Sequence, residues 1–195
     1  MATAHDVAAY IEEKKGRLHS LHLQKLVYYA QACSVVWDSH VLFPERIEAW
    51  EQGPVVPELR TDRNSRMPEK KGDPSMLTRQ ERASIDGMLE FFGRLDEGQL
   101  IELTHREMPW RKARRGLAPS DPGNREIDPQ DILAYYGPAL ERGKKAVPEA
   151  LQRGLAFLLE VPESGVDDLG EPDAVDGEAA LRWMETGKDD PWRES

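Results

Sequence analysis

Leu23, Leu26, Val27, Ala30 and Cys33 recur at i, i+3, i+4, i+7 and i+10, the spacing of an apolar stripe along one side of an α-helix. The pattern predicts a helix from Leu21 to about Trp37, with Ser20 as its cap. Arg46 to Glu51 alternates instead: Ile47, Ala49 and Glu51 would face one way, Glu48 and Trp50 the other, as in a short strand. Gly53 and Pro54 then force a turn. Val56, before Pro57, should be extended, and Pro57 suits the first turn of a helix reaching about Asp62.

The rest of the chain is read as helical segments between breakers. Asp6 to Glu13 places Val7, Ala8, Tyr10 and Ile11 on one side. Thr61 to Ser75 is polar, basic and rich in breakers, hence a loop. Thr78 with Glu81 forms a capping box ahead of Ile85, Met88, Leu89, Phe92 and Leu95. Gly98 separates this helix from a short one through Leu100, Leu103 and His105, and Pro109-Trp110 opens another. Asp128-Pro129 starts a helix through Ile132, Leu133, Tyr135 and Tyr136, which Gly137 and Pro138 should stop. Pro148 begins one holding Leu151, Leu155, Leu158 and Leu159. Asp176 and Gly187 bracket a last one with Leu181, Trp183 and Met184. The expected fold is mainly α: a compact helical domain with a small β element, plus an acidic C-terminal extension.

Charge divides the chain in the same way. The net charge is −10, and residues 146–195 hold roughly 13 acids and 4 bases, about −9, leaving the remainder nearly balanced. We therefore expect a domain over 1–145 and an acidic helical or loop extension over 146–195. Such a balance disfavours nucleic acid as a partner and suits a basic protein. One cysteine, Cys33, excludes an intramolecular disulfide and points to a reducing cytoplasm. No apolar stretch approaches the roughly 20 residues of a membrane span, and Met1 to Tyr10 lacks the basic-then-apolar order of a signal peptide.

Catalytic motifs are absent: there is no Gly-x-Ser-x-Gly, phosphate loop or dinucleotide fingerprint. His19 and His22 lie three apart, but no carboxylate or cysteine falls at a matching position, so no metal is expected. Cys33, on the apolar stripe, reads as a small buried hydrophobe. Glu48 and Glu51 point to opposite faces of a strand and make a poor acid–base pair. Arg63, Arg66, Lys70 and Lys71 lack interleaved aromatics and read as a solvated loop. The expectation is a protein that is not an enzyme and uses no cofactor or small-molecule substrate.

Tyr28 and Tyr29 are adjacent, so about 100° apart on a helix. We expect at least one near the rim, where a tyrosine suits an interface. Trp183, Met184 and Trp192 sit in an acidic end with few apolar neighbours, as in a segment that docks on something else.

Two blocks, Leu23-Gln24-Lys25-Leu26-Val27-Tyr28-Tyr29-Ala30-Gln31 and Ile47-Glu48-Ala49-Trp50-Glu51-Gln52-Gly53-Pro54-Val55-Val56, resemble the Panacea, or SocA-like, antitoxin domain. His105 with Pro109-Trp110 resembles a downstream signal of that family. The resemblance spans roughly residues 5 to 140. The loop from Thr61 to Ser75, and everything beyond about Lys145, depart from the shared pattern.

The resemblance implies the antitoxin half of a bacterial or phage toxin–antitoxin system, acting by direct binding of a toxin in a hetero-oligomer. One branch of the family instead delivers its toxin to an ATP-dependent protease, which is the alternative reading. An enzyme using His105 or Glu48, or a mimic of DNA, fits the sequence less well. Expected partner contacts are Tyr28, Tyr29, Glu48, Trp50, Trp183, Met184 and Trp192. Leu23, Gln24, Lys25, Leu26, Gly53, Pro54, Val55, His105 and Trp110 form the structural motif.

Overall fold

The computed structural model of the chain describes residues 1–64, 71–118 and 120–143. Their order is α1 (Ala4–Lys15), α2 (Ser20–Trp37), β1 (Glu48–Trp50), β2 (Gly53–Val55), α3 (Pro57–Asn64), a 3-10 turn (Pro74–Met76), α4 (Arg79–Phe91), a second 3-10 turn (Phe92–Arg94), α5 (Glu97–Arg106), α6 (Met108–Ala113) and α7 (Pro129–Gly143). The fold is mainly helical with a small β element, as the sequence predicts; that element is an antiparallel hairpin turning at Glu51-Gln52, so Gly53 and Pro54, expected to form the turn, begin β2 instead. By compactness the chain divides into Met1–Ala134 and Tyr135–Ser195. The helices expected after Pro148 and Asp176 lie outside the described residues.

Helix α2 is the axis of the first unit. Every residue from Leu23 to Val36 is buried, because α1, α3, α4, α5 and β2 all pack against it. A helix enclosed on all sides is the limiting case of an apolar stripe. It has a cost: Gln24, Lys25, Gln31 and Ser34 are carried inside with the stripe and must find partners there.

Several boundaries differ from the sequence reading. Helix α2 has His19, not Ser20, at its N-cap, with no side-chain cap from it. The Glu97 carboxylate reaches across from α5 instead and accepts the His22 backbone N–H at 3.1 Å. Helix α1 is longer than predicted because Thr3 and Asp6 form a capping box, a role usually taken by Glu or Gln at the third position. Gly98 does not separate two helices; it lies in the first turn of α5, whose capping box is Asp96 with Gln99. The segment expected to be a loop over Thr61–Ser75 begins inside α3 and ends in the Pro74–Met76 turn. Helix α7 runs through Gly137-Pro138 to Gly143, since a proline removes one helical hydrogen bond and crowds one carbonyl without ending every helix. The capping box of Thr78 with Glu81 is formed as read.

Candidate partner-binding site

The polar residues of α2 hold the hairpin. Gln24 donates its amide N–H to the Val56 carbonyl at 3.2 Å and accepts the Val56 N–H at 2.8 Å. Seven residues on, two helical turns further along the same side, Gln31 does the same for the other end of the segment. Its Oε1 accepts the N–H groups of Leu42 and Phe43 at 2.8 and 3.3 Å, and its Nε2 donates to the Phe43 carbonyl at 3.2 Å. A primary amide offers one donor and one acceptor side by side, as a peptide group does. Each glutamine therefore completes a backbone pairing that no strand provides.

Between them, the Lys25 ammonium donates to the Pro54 carbonyl at 3.0 Å. Lys25 is 0 % exposed, and burial lowers its pKa to about 7. Above it sits Gly53 with φ of +93°, a conformation that side chains disfavour. A Cβ there would lie 2.7 Å from the Thr104 Oγ1 and 2.8 Å from the Lys25 Cε. Glycine at this position is thus required by backbone conformation and by close approach together. The hairpin register pairs Glu48 with Val55, Ala49 with Pro54 and Trp50 with Gly53. The outer edge of β1 is covered in turn: the Ala49 N–H donates to the Arg125 carbonyl and the Ile127 N–H to the Ile47 carbonyl, both at 2.8 Å.

Trp110 and Arg114 lock the hairpin from the α6 side. The Trp110 indole N–H donates to the Trp50 carbonyl at 2.9 Å. Arg114 donates to the carbonyls of Ala49, Ala118 and Asp121 at 3.2, 3.0 and 2.7 Å. Its guanidinium lies 5.1 Å from the Trp110 ring centroid, while His105 stacks on Trp110 at 4.2 Å. Burial, reinforced by the nearby Lys25, pushes the His105 imidazole down to about 4, against the opposing pull of its hydrogen bond with the Glu51 backbone.

Residues 23–111 match the family model for the antitoxin SocA-like, Panacea domain. Over that span the chain is similar to a Panacea domain. The matched span opens on Leu23, at the head of the clamping helix, and closes at Arg111, just past Trp110. It therefore takes in both glutamine clamps, Lys25, the hairpin and the tryptophan lock. No curated protein and no solved structure matches the chain.

Most of the residues that carry the resemblance to the Panacea domain are internal. Tyr28 and Tyr29 are 1 % and 0 % exposed, which corrects the expectation that one lies near the rim. Both hydroxyls donate to the same buried carboxylate, Glu107, at 3.3 Å from Tyr28 and 2.7 Å from Tyr29. Glu107 sits at the junction of α5 and α6, where it can meet both phenols despite their angular separation. Tyr29 also stacks on Phe92 at 3.9 Å. Glu48, expected at the contact surface, is 3 % exposed. Its carboxylate accepts the Trp50 indole N–H and pairs with Arg46, each at 2.7 Å.

Among the expected contact residues within 23–111, Trp50 is half-buried where Tyr28, Tyr29 and Glu48 are buried. The Arg60 guanidinium lies 5.0 Å from its centroid, and the exposed Glu51 and Gln52 adjoin it. Trp183, Met184 and Trp192 lie outside the described residues. Sequence reasoning missed Glu107, Arg114 and the clamping roles of Gln24 and Gln31. An interior polar residue in a helix otherwise buried on every side was the available signal for the glutamines. Nothing local marks Glu107 or Arg114. Among the described residues, no group of three or more His, Cys, Asp or Glu is placed to hold a metal, and no helix is long and apolar enough to cross a membrane.

Proposed function

We propose that this chain is the antitoxin of a toxin–antitoxin pair and neutralises its toxin by direct protein–protein binding, without catalysis. The match of residues 23–111 to the SocA-like Panacea antitoxin family carries this reading. A binding role for the hairpin fits the geometry: Trp50 is half-buried at the end of strand β1, whose backbone is held on both edges, so little ordering is left to the moment of contact. Tryptophan is also among the residues most often dominant at interfaces. The acidic segment 146–195, with Trp183, Met184 and Trp192, is the second proposed contact and suits a basic toxin.

The test is to induce the neighbouring open reading frame with and without this gene, following growth and the neighbour's protein level. Growth arrest relieved at an unchanged level of the neighbour supports neutralisation by binding. Relief accompanied by loss of the neighbour indicates delivery to a protease instead. A harmless neighbour, or no relief, removes the antitoxin reading. In the purified pair, Trp50→Ala should weaken binding at least tenfold; if it lowers only the melting temperature, Trp50 belongs to the frame alone.

A further inference from the structure

A second feature shares no residue with the hairpin frame. Tyr10 of α1 and Leu77, Arg79, Arg82, Ala83 and Asp86, from the start of α4 and the residue pair before it, line an open depression of about 480 Å³. Its floor is apolar, with Tyr10 and Leu77 nearly buried. Its rim is charged, and the charges are not balanced.

Asp86, the only acid lining it among the described residues, is already engaged. Both carboxylate oxygens lie 3.1 Å from the Tyr10 hydroxyl, and the Lys14 ammonium is 3.3 Å away. Neither arginine forms an ion pair with a described residue, although Arg82 lies near enough to Asp73 to favour the charged form of that carboxyl. Arg79 is exposed, and its side chain makes no hydrogen bond or ion pair with another described residue. Arg82 donates through Nη2 to the Pro74 carbonyl at 3.0 Å and lies 5.9 Å from the Tyr10 centroid, while its Nε has no hydrogen-bond partner among the described residues. Elsewhere in this acidic chain Arg17, Arg46 and Arg106 are each paired with a glutamate. Arg79 and Arg82 stand three apart on one helix face, close enough for both forks to reach one carboxylate.

We propose that this depression is a docking point for an acidic segment of a protein partner, one carboxylate held between Arg79 and Arg82 and a neighbouring apolar side chain resting on Leu77 and the Tyr10 ring. The apolar floor fits a peptide better than a phosphate backbone. A polyanion needs a longer track of cations, and the net charge of −10 opposes it.

The test titrates the full chain against a fluorescein-labelled peptide, Glu-Leu-Glu-Glu-Leu-Glu, by anisotropy. Arg79→Glu and Ala83→Glu are the variants, both at exposed positions and both leaving the Pro74 contact in place. Saturable binding, at least tenfold weaker in each variant at an unchanged melting temperature and lost for the neutral peptide Gln-Leu-Gln-Gln-Leu-Gln, is the expected result. Absence of saturable binding, equal affinity in the variants, or equal binding of the neutral peptide would overturn the proposal. So would displacement of the acidic peptide by a tighter-binding octauridine, which would make the site one for nucleic acid.

Discussion

Gln24 and Val56 are joined by two hydrogen bonds, one in each direction, across 32 residues of chain. The pair is fully interior, and it converts a loop into a fixture of helix α2. Gln24→Ala would leave the Val56 N–H buried without its acceptor, while the Val56 carbonyl keeps the Arg60 N–H at 3.2 Å. A buried group so orphaned costs about 1–3 kcal/mol. Thermal unfolding should show a drop of roughly 2–12 °C. Gln24→Glu keeps the acceptor alone and should recover only part of it.

Gly53→Ala should destabilise by at least about 2 kcal/mol, from left-handed backbone strain together with the contact against Thr104 and Lys25. Gly116, also at positive φ but with open space around it, is the control. Its alanine variant carries the strain without the clash and should lose less in the same denaturant titration.

Stability should rise with pH above neutrality. Lys25 releases its proton near pH 7 when folded but near 10.5 in the unfolded chain. Between these values the unfolded state binds more protons, so raising the pH favours the folded one. His105 acts in the same sense lower down: it is held neutral to about 4, so stability falls as the pH drops from about 6.5 to 4. Urea midpoints measured from pH 4 to 10 check both. Lys25→Met should flatten the alkaline slope and, by removing a charge that helps hold His105 neutral, reduce the acid one without abolishing it.

Tyr28 and Tyr29 should prove energetically coupled through Glu107. Tyr29→Phe, which removes the 2.7 Å bond, should cost about 1.5–3 kcal/mol, as for a hydrogen bond to a charged group. Tyr28→Phe, at 3.3 Å, should cost less. In a Glu107→Gln background the Tyr29→Phe loss should shrink, a non-additivity that a double-mutant cycle measures.

The helices were legible where their signals are local. The apolar stripe of α2 and the capping box of Thr78 with Glu81 need only a few consecutive residues to be recognised. The turn read at Gly53-Pro54 falls instead at Glu51-Gln52, because Gly53 and Pro54 pair with Trp50 and Ala49 as the start of β2, a long-range pairing that the turn residues alone do not announce. What escaped was the interior of α2. A stripe at helical spacing says which face is apolar, but not that five other elements close over the opposite face as well. Hence the angle between Tyr28 and Tyr29 puts at least one of them near the rim, and Glu48 is expected at the contact surface. Both are drawn inward by partners, Glu107 and Arg46, that spacing cannot reveal.

Glu97 likewise caps α2 from 75 residues away, where no pattern around Ser20 could announce it. The family resemblance drew attention to the right residues. Their burial shows that most of them build the frame, and Trp50 alone of the described contact candidates stays partly outside it.

Residues 42 to 56 are tied at both ends to amides two turns apart on one helix. To lift this segment away, water must reach the centre of the molecule. The Leu42 and Val56 amide protons, each held by a glutamine side chain, should therefore exchange with solvent only when the whole first unit opens. Two protons in a stretch of mostly irregular backbone would then report the global stability of the domain as faithfully as any in its helices.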